Sequence, residues 1–261
     1  MISRCMTRIV PFVVAGVLGA SSPAWAQRSR CADCHFANPQ APRPLHVSDW
    51  DLGVHGRSAV GCEKCHGGDA TTVDSFQAHR GIRLATNPAS PVARGNLPGT
   101  CGVCHAGPYV QFQRSRHYQV LRAGDNRAPT CTLCHGDAGT FLLSPKGLES
   151  QCRQCHGPGK AVPHPQAGEQ ARHLLEGILD ARASLAAAKS LIRRVNDPIR
   201  RGELQDAYEQ VEVPMKEAVD AGHAFVFDGV EERLGVAQRR VGMLLERLAN
   251  PRAGSAAQPP P

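Results

Sequence analysis

Nearly all cysteines of the chain, ten of 11, fall into one repeated five-residue unit, Cys-x-x-Cys-His. Two thiols three positions apart can form thioether bonds with the two vinyl groups of one porphyrin. The imidazole of the next residue can then bind the iron as the proximal ligand. This chemistry predicts five covalently bound haem c groups, one for each unit. In chain order, the units one to five are Cys31-Ala32-Asp33-Cys34-His35, Cys62-Glu63-Lys64-Cys65-His66, Cys101-Gly102-Val103-Cys104-His105, Cys131-Thr132-Leu133-Cys134-His135 and Cys152-Arg153-Gln154-Cys155-His156.

Zinc and disulfide bonds are the competing interpretations of paired cysteines, and neither explains the whole repeat. Structural zinc sites often use four cysteines, and five cysteine pairs do not divide into such sites. Disulfide bonds are common in exported proteins, but they leave the histidine of each unit unexplained. Covalent haem accounts for the cysteines and the histidines together. We therefore expect the histidine of every unit to be an iron ligand.

Seven further histidines lie outside the repeat, which is more than a second ligand for every predicted iron requires. An iron with imidazole on both faces is low-spin and exchanges electrons with little rearrangement, whereas a catalytic haem needs an open position. We expect most or all of the irons to have two histidine ligands. His164 and His173 are left open, because His164 lies between prolines and His173 lies beside the apolar stripe of its helix. The other candidates for the second ligand are His46, His55, His79, His117 and His223.

Two of these candidates lie a short distance before an attachment unit. His55 lies seven residues before Cys62, and His117 lies fourteen residues before Cys131. Over residues 31–160 this arrangement resembles the family that includes hydroxylamine oxidoreductase, pentahaem nitrite reductase and the tetrahaem cytochromes of nitrifying bacteria. The resemblance implies that such histidines bind the iron of a neighbouring haem and link the units into stacked pairs. The chain departs from the nitrite reductases because it has no Cys-x-x-Cys-Lys unit.

Residues 1–26 predict a cleaved signal peptide and therefore an exported, periplasmic protein. Arg4 and Arg8 precede an apolar stretch over residues 9–20, and Ala24-Trp25-Ala26 supplies the cleavage pattern. An uncleaved membrane anchor is the competing interpretation. The apolar stretch is shorter than the roughly 17–25 residues that a membrane span needs, which favours cleavage. No later segment is apolar enough to span a membrane.

The charge balance fits haem binding better than it fits a nucleic-acid partner. The chain has 30 basic and 23 acidic residues, and without Arg4 and Arg8 its net charge is +5. Each ferric haem with two neutral axial ligands has one net negative charge, because two propionates outweigh the positive iron–porphyrin core. Five haems therefore bring the balance to about zero. Export also argues against nucleic acid as a partner.

The sequence predicts a mainly α and irregular fold, with a core filled by haem and a C-terminal antiparallel helical bundle. Residues 27–165 form the haem-binding region, which is rich in glycine and proline and has little periodicity. Residues 166–250 have apolar stripes at helical spacing and predict the bundle that packs on the haems. Residues 251–261 predict a disordered tail.

The bundle is predicted to contain three helices. The first has an apolar stripe from Ala171 to Val195, and the second covers residues 203–221 with a kink near Pro214. The third is expected to start near Gly222, which would place His223 on its buried face. Its stripe ends before Asn250-Pro251. The stripe of the third helix is Val230, Leu234, Ala237, Val241, Leu244 and Leu248.

These features predict an electron-transfer protein that exchanges electrons with other redox proteins, namely quinol-oxidising or terminal-reductase components. No catalytic residue is assigned. Two other functions stay open. A reductase of nitrite, hydroxylamine or a sulfur oxyanion would need one iron with an open position. A haem-stacking filament or interaction subunit would need a histidine donated to a neighbouring subunit.

Overall fold

The computed structural model describes residues 29–42, 45–136, 142–160, 162 and 164–250, so the predicted signal peptide and tail lie outside these residues. The described residues form thirteen helices and no strand, which confirms the mainly helical and irregular fold. The first ten helices are short. They are α1 (Arg30–Ala37), α2 (Leu45–Leu52), α3 (Val54–Arg57), α4 (Glu63–His66), α5 (Ser75–Ala78), α6 (Leu97–Gly102), α7 (Ala106–Gln113), α8 (Arg116–Arg122), α9 (Cys131–His135) and α10 (Pro145–His156).

Three long helices follow, and each buries one apolar stripe against the other two. They are α11 (Ala167–Ile192), α12 (Pro198–His223) and α13 (Phe227–Ala249). Short connections join them, so successive helices run antiparallel. The stripes predicted for the first and third helices are buried, except that Leu174, Val195 and Leu248 are only partly buried against the core. The buried core of the bundle is Ile178, Ala181, Leu185, Ala188, Ile192, Leu204, Tyr208, Val211, Met215, Ala218, Val230, Leu234, Ala237, Val241 and Leu244.

The second long helix is longer than the sequence predicted and continues through a proline. The side chain of Asp197 caps its start by accepting hydrogen bonds from the backbone N–H groups of Ile199 and Arg200. Pro214 lies inside the helix and has no N–H for the carbonyl of Gln210. The guanidinium of Arg240 donates to that carbonyl oxygen at 2.6 Å. This bond from α13 compensates for the hydrogen bond that the proline removes.

The predicted start of the third helix is wrong. His223 is the last residue of α12, and α13 begins only at Phe227. The chain leaves the helix because Phe225 has a φ of 58°, in the left-handed region. Bulky residues rarely adopt this conformation, and so the break has no clear sequence signal. His223 therefore lies at the end of the bundle that the haem-binding region contacts.

The haem-binding region is joined to the bundle by helix packing and ion pairs. Helix α10 packs on α11, and α7 contacts α12. The carboxylate of Glu149 on α10 forms an ion pair with the guanidinium of Arg172 on α11, with Oε2 2.9 Å from Nε. None of the described helices is long and apolar enough to cross a membrane.

Two valines of α12 test the bundle core as a matched pair. Val211 is fully buried, whereas 58% of Val213 is exposed. We expect Val211→Ala to lower the free energy of unfolding by about 2 kcal/mol, because two buried methyl groups are lost and a cavity remains. Val213→Ala should change it by less than about 0.5 kcal/mol. Denaturant unfolding followed by circular dichroism measures both, and equal effects would contradict the buried stripe.

Candidate haem-binding site

Each attachment unit forms or borders a helical turn, which brings its two thiols to one face. Residues three and four positions apart lie on the same side of a helix. Unit one lies inside α1, unit four is α9 and unit five ends α10. In unit two, Cys62 is the N-cap of α4. In unit three, Cys101 lies in α6, and His105 is the N-cap of α7.

Every unit histidine faces one histidine from outside the repeat. The two rings of each pair come from different parts of the chain, and all five pairs have nearly the same spacing. The pairs, with the distance between ring centroids, are His35 with His79 (6.0 Å), His66 with His46 (5.8 Å), His105 with His55 (6.0 Å), His135 with His223 (6.2 Å) and His156 with His117 (5.8 Å).

This spacing suits one iron between two rings. A histidine nitrogen binds a first-row metal at about 2 Å and lies about 1 Å from its ring centre, so the two centres would lie about 6 Å apart. A direct hydrogen bond between the rings would bring the centres to about 5 Å. No three His, Cys, Asp or Glu side chains are grouped as metal ligands in the described ranges. Two protein ligands are what an iron needs when a porphyrin supplies the other four.

Backbone carbonyls orient three of the paired imidazoles. His35 Nδ1 lies 2.8 Å from the oxygen of Pro42, and His79 Nδ1 lies 2.7 Å from that of Ser75. His223 Nδ1 lies 2.8 Å from the carbonyl oxygen four residues earlier in its helix. A carbonyl can only accept, so Nδ1 has the proton in each ring. Nε2 then keeps the lone pair that an iron would bind.

Hydrogen bonds between distant segments hold the short helices that contain the paired histidines. The indole of Trp50 donates to the carbonyl oxygen of Val60 at 2.7 Å, which ties α2 and α3 to the segment before unit two. Helices α2 and α3 contain His46 and His55. Arg30 donates to the carbonyl oxygen of Thr71 at 2.8 Å and so joins unit one to the segment before His79.

A large apolar cavity lies among the units. Its volume is about 1310 Å³, and unit residues from the first four units and part of the fifth line it. Trp50, Phe112 and Phe225 supply aromatic walls, while Ile178 and Val230 reach it from the bundle. An apolar wall of this kind suits a porphyrin face. The guanidinium groups of Arg30 and Arg182 also line the cavity and suit propionates.

Consecutive attachment units are neighbours in space. The Cys101 and Cys131 thiols are in hydrogen-bonding contact, which raises the pKa of Cys101 and lowers that of Cys131. Electrostatic interactions reach between the other consecutive units as well. Each unit therefore lies near the next one along the chain, and the five units form a series in chain order. The neighbouring cysteines are Cys31 with Cys62, Cys65 with Cys101 and Cys104, and Cys134 with Cys152.

Burial keeps several of these groups uncharged. It lowers the pKa of His66, His117 and His135, and in each case the facing histidine adds to the effect. A neutral imidazole retains the lone pair that binds a metal. Burial also raises the thiol pKa of Cys134 and Cys152. These surroundings suit an uncharged thioether sulfur.

The structure brings neither His164 nor His173 to a unit histidine within its described part. His173 is exposed and lies 3.5 Å from Glu176 and 3.9 Å from Glu169. His164 is also exposed and has a φ of 69°. The two histidines left open by the sequence are thus the two that the five pairs do not use.

The sequence did not identify which unit each second histidine faces. His55 precedes unit two but faces His105 of unit three. His117 precedes unit four but faces His156 of unit five. His79 follows unit two but faces unit one. Distance along the chain contains no signal for these pairs, because the path of the short helices decides them.

Comparison with known proteins finds relatives of the same chemistry. Residues 90–157 match the family described as cytochrome c7 and related cytochrome c, and residues 19–67 match the family cytochrome c554 and c-prime. The C-type polyheme cytochrome OmcC of Geobacter sulfurreducens is 22% identical over 50% of this chain. OmcB of the same species is 28% identical over 49%. No solved structure matches significantly.

The segments matched by this chain make up only 17% of the length of OmcC and 16% of the length of OmcB. The repeat, the paired imidazoles and the family matches together define the class of the protein. The chain is a multihaem c-type cytochrome, with covalently bound haem c.

The angle between the two ring planes of a pair predicts the type of electron paramagnetic resonance (EPR) signal that a ferric haem held between the rings would give. Parallel imidazoles separate two iron d orbitals strongly and give a rhombic low-spin signal. Perpendicular imidazoles leave these orbitals nearly equal in energy and give a signal with a larger maximum g value. The interplanar angles are 2° for His135 with His223, 19° for His66 with His46, 48° for His105 with His55, 52° for His35 with His79 and 85° for His156 with His117.

We therefore expect two rhombic signals, two intermediate signals and one large-g signal in the frozen, oxidised protein. His117→Ala should remove the large-g signal, whereas His223→Ala should remove a rhombic one. A large-g signal that survived in His117→Ala would contradict the perpendicular arrangement of this pair.

Proposed function

We propose that the chain transfers electrons through five haem c groups, each held between a unit histidine and a second histidine. The observation that supports this most directly is the spacing of the five imidazole pairs, 5.8–6.2 Å between ring centres. In this proposal the second ligands are His46, His55, His79, His117 and His223. The ten unit cysteines form the thioether bonds.

Two imidazoles on each iron favour electron transfer over catalysis. Haem iron supplies one-electron chemistry by changing between its ferric and ferrous states. The paired histidines hold both axial positions, so a change of oxidation state requires little movement of the protein. A reductase would need one open position, and each of the five units has a facing histidine. The lack of a Cys-x-x-Cys-Lys unit argues in the same direction.

Each unit lies near the next one along the chain, and this succession supports a continuous path for electrons. Cys101 and Cys131 are in direct contact, and cysteines of the other consecutive units lie within electrostatic range. Porphyrins attached at neighbouring units would lie close together. The protein positions them by short helices and thioether bonds, which fix each group without a separate pocket.

Export, a periplasmic location and redox-protein partners complete the proposal. The basic start and the Ala24-Trp25-Ala26 pattern support a cleaved signal peptide. The partners would be quinol-oxidising or terminal-reductase components. The proposal includes a relationship to the hydroxylamine oxidoreductase family, which rests on the placement of His55 and His117, because each faces the unit beyond the one that it precedes. Redox function is also implied by the polyheme names of OmcB and OmcC.

A matched pair of histidine variants tests the axial ligands. His223 faces His135 at 6.2 Å, whereas His173 is exposed beside two glutamates. We expect His223→Ala to convert one haem of five to the high-spin form, because one iron loses its second imidazole. The reduced variant should then bind carbon monoxide at that haem. His173→Ala should leave the spectrum unchanged.

Absorption spectra of oxidised and carbon monoxide-treated reduced protein measure both variants, and the pyridine haemochrome assay confirms that haem stays attached. Identical spectra for the two variants would contradict the ligand assignment. Carbon monoxide binding by the unmodified reduced protein would instead support an open haem and a reductase.

A further inference from the structure

The first and the last unit of the series differ in how their paired histidines are hydrogen-bonded. At unit one, both His35 and His79 place Nδ1 at hydrogen-bond distance from a backbone carbonyl, 2.8 and 2.7 Å. At unit five, Nδ1 of His117 is buried and has no hydrogen-bond partner. In the described residues, no other paired histidine has a buried ring nitrogen without a partner.

The side chain of His117 also has the more apolar surroundings. Its ring meets the edge of Phe225 with the ring centres 4.2 Å apart. Phe225 packs on a small buried cluster of Phe112, Leu121 and Ala128. His79, by contrast, is exposed. His117 therefore has a packed aromatic neighbour, whereas His79 is exposed and lines the cavity among the units.

Both differences raise the reduction potential of the unit-five haem relative to that of the unit-one haem. A proton shared between Nδ1 and a carbonyl increases the electron density of an imidazole, which stabilises ferric iron and lowers the potential. Ferric haem has one more positive charge than ferrous haem, and burial disfavours that charge. The same burial lowers the pKa of His117, with the facing His156 adding to the effect.

We propose that the series of haems is polarised, with the highest reduction potential at the His117–His156 haem and the lowest at the His35–His79 haem. This inference rests on the proposed two-histidine ligation of five haems. Electrons entering the series would collect at unit five, which ends the helix that packs on the bundle. His117 is the proposed iron ligand at this end, and Phe225 is a positioning residue that acts through its contact with the His117 ring.

An EPR-monitored redox titration of the complete haem-loaded protein tests the polarity. The ring planes of His117 and His156 meet at 85°, so their haem can be followed alone by its large-g signal. We expect this signal to disappear first as the potential is lowered. The polarity is refuted if any rhombic or intermediate signal disappears before it. If the oxidised protein lacks five low-spin haems, the proposed ligation itself fails before any potential is measured.

Two replacements of Phe225 separate the hydrogen bond from the packing. Phe225→Gln places an amide oxygen beside the unpartnered nitrogen and should lower the midpoint of the large-g haem. Phe225→Leu keeps an apolar neighbour and should leave that midpoint close to the original. Equal shifts in the two variants would show that the missing hydrogen bond does not set the potential.

The variant His79→Ala tests the low-potential end of the series, at unit one. Loss of this ligand should remove the lowest-potential step from the titration, because that step belongs to the unit-one haem. Persistence of the lowest step at its original midpoint would place the low-potential end elsewhere and contradict the polarity. The wild-type titration does not depend on the folding of any variant.

Discussion

An iron between two imidazoles fixes how far apart two histidines must be held, whatever the rest of the chain does. Five such pairs recur here with ring centres 5.8–6.2 Å apart, although their members come from different helices. One pair reaches from unit four to His223 at the end of a 26-residue bundle helix. In the proposed ligation the bundle supplies an axial ligand as well as a packing surface for the haem-binding region.

The two halves of the chain have different sources of stability. The bundle has a continuous apolar core with fully buried side chains such as Val211 and Ala237. Among the described residues of the haem-binding region, one small apolar cluster is buried, around Phe112, and aromatic residues make up 5% of the chain. Porphyrins attached at the units would fill its cavity and provide the missing apolar contacts. Loss of haem should therefore disturb this region far more than the bundle.

The attachment units and the bundle helices could be predicted from the sequence. The repeat identified the attachment units, and the stripes identified the bundle helices, because each has a fixed spacing. The pairing of His55 with unit three was not readable, since it depends on how Trp50 ties α2 and α3 to the next segment. The start of α13 was also missed. Its break depends on a left-handed phenylalanine, a conformation that residue type does not indicate.

Spin quantitation of the oxidised protein measures directly whether all five irons have histidine on both faces. The pyridine haemochrome assay gives the number of haems per chain, and integrated EPR signals give the fraction of low-spin iron. Five haems per chain, all of them low-spin, are the predicted result. A high-spin signal equal to one haem, or fewer than five haems per chain, would contradict the binding of five irons by two histidines each.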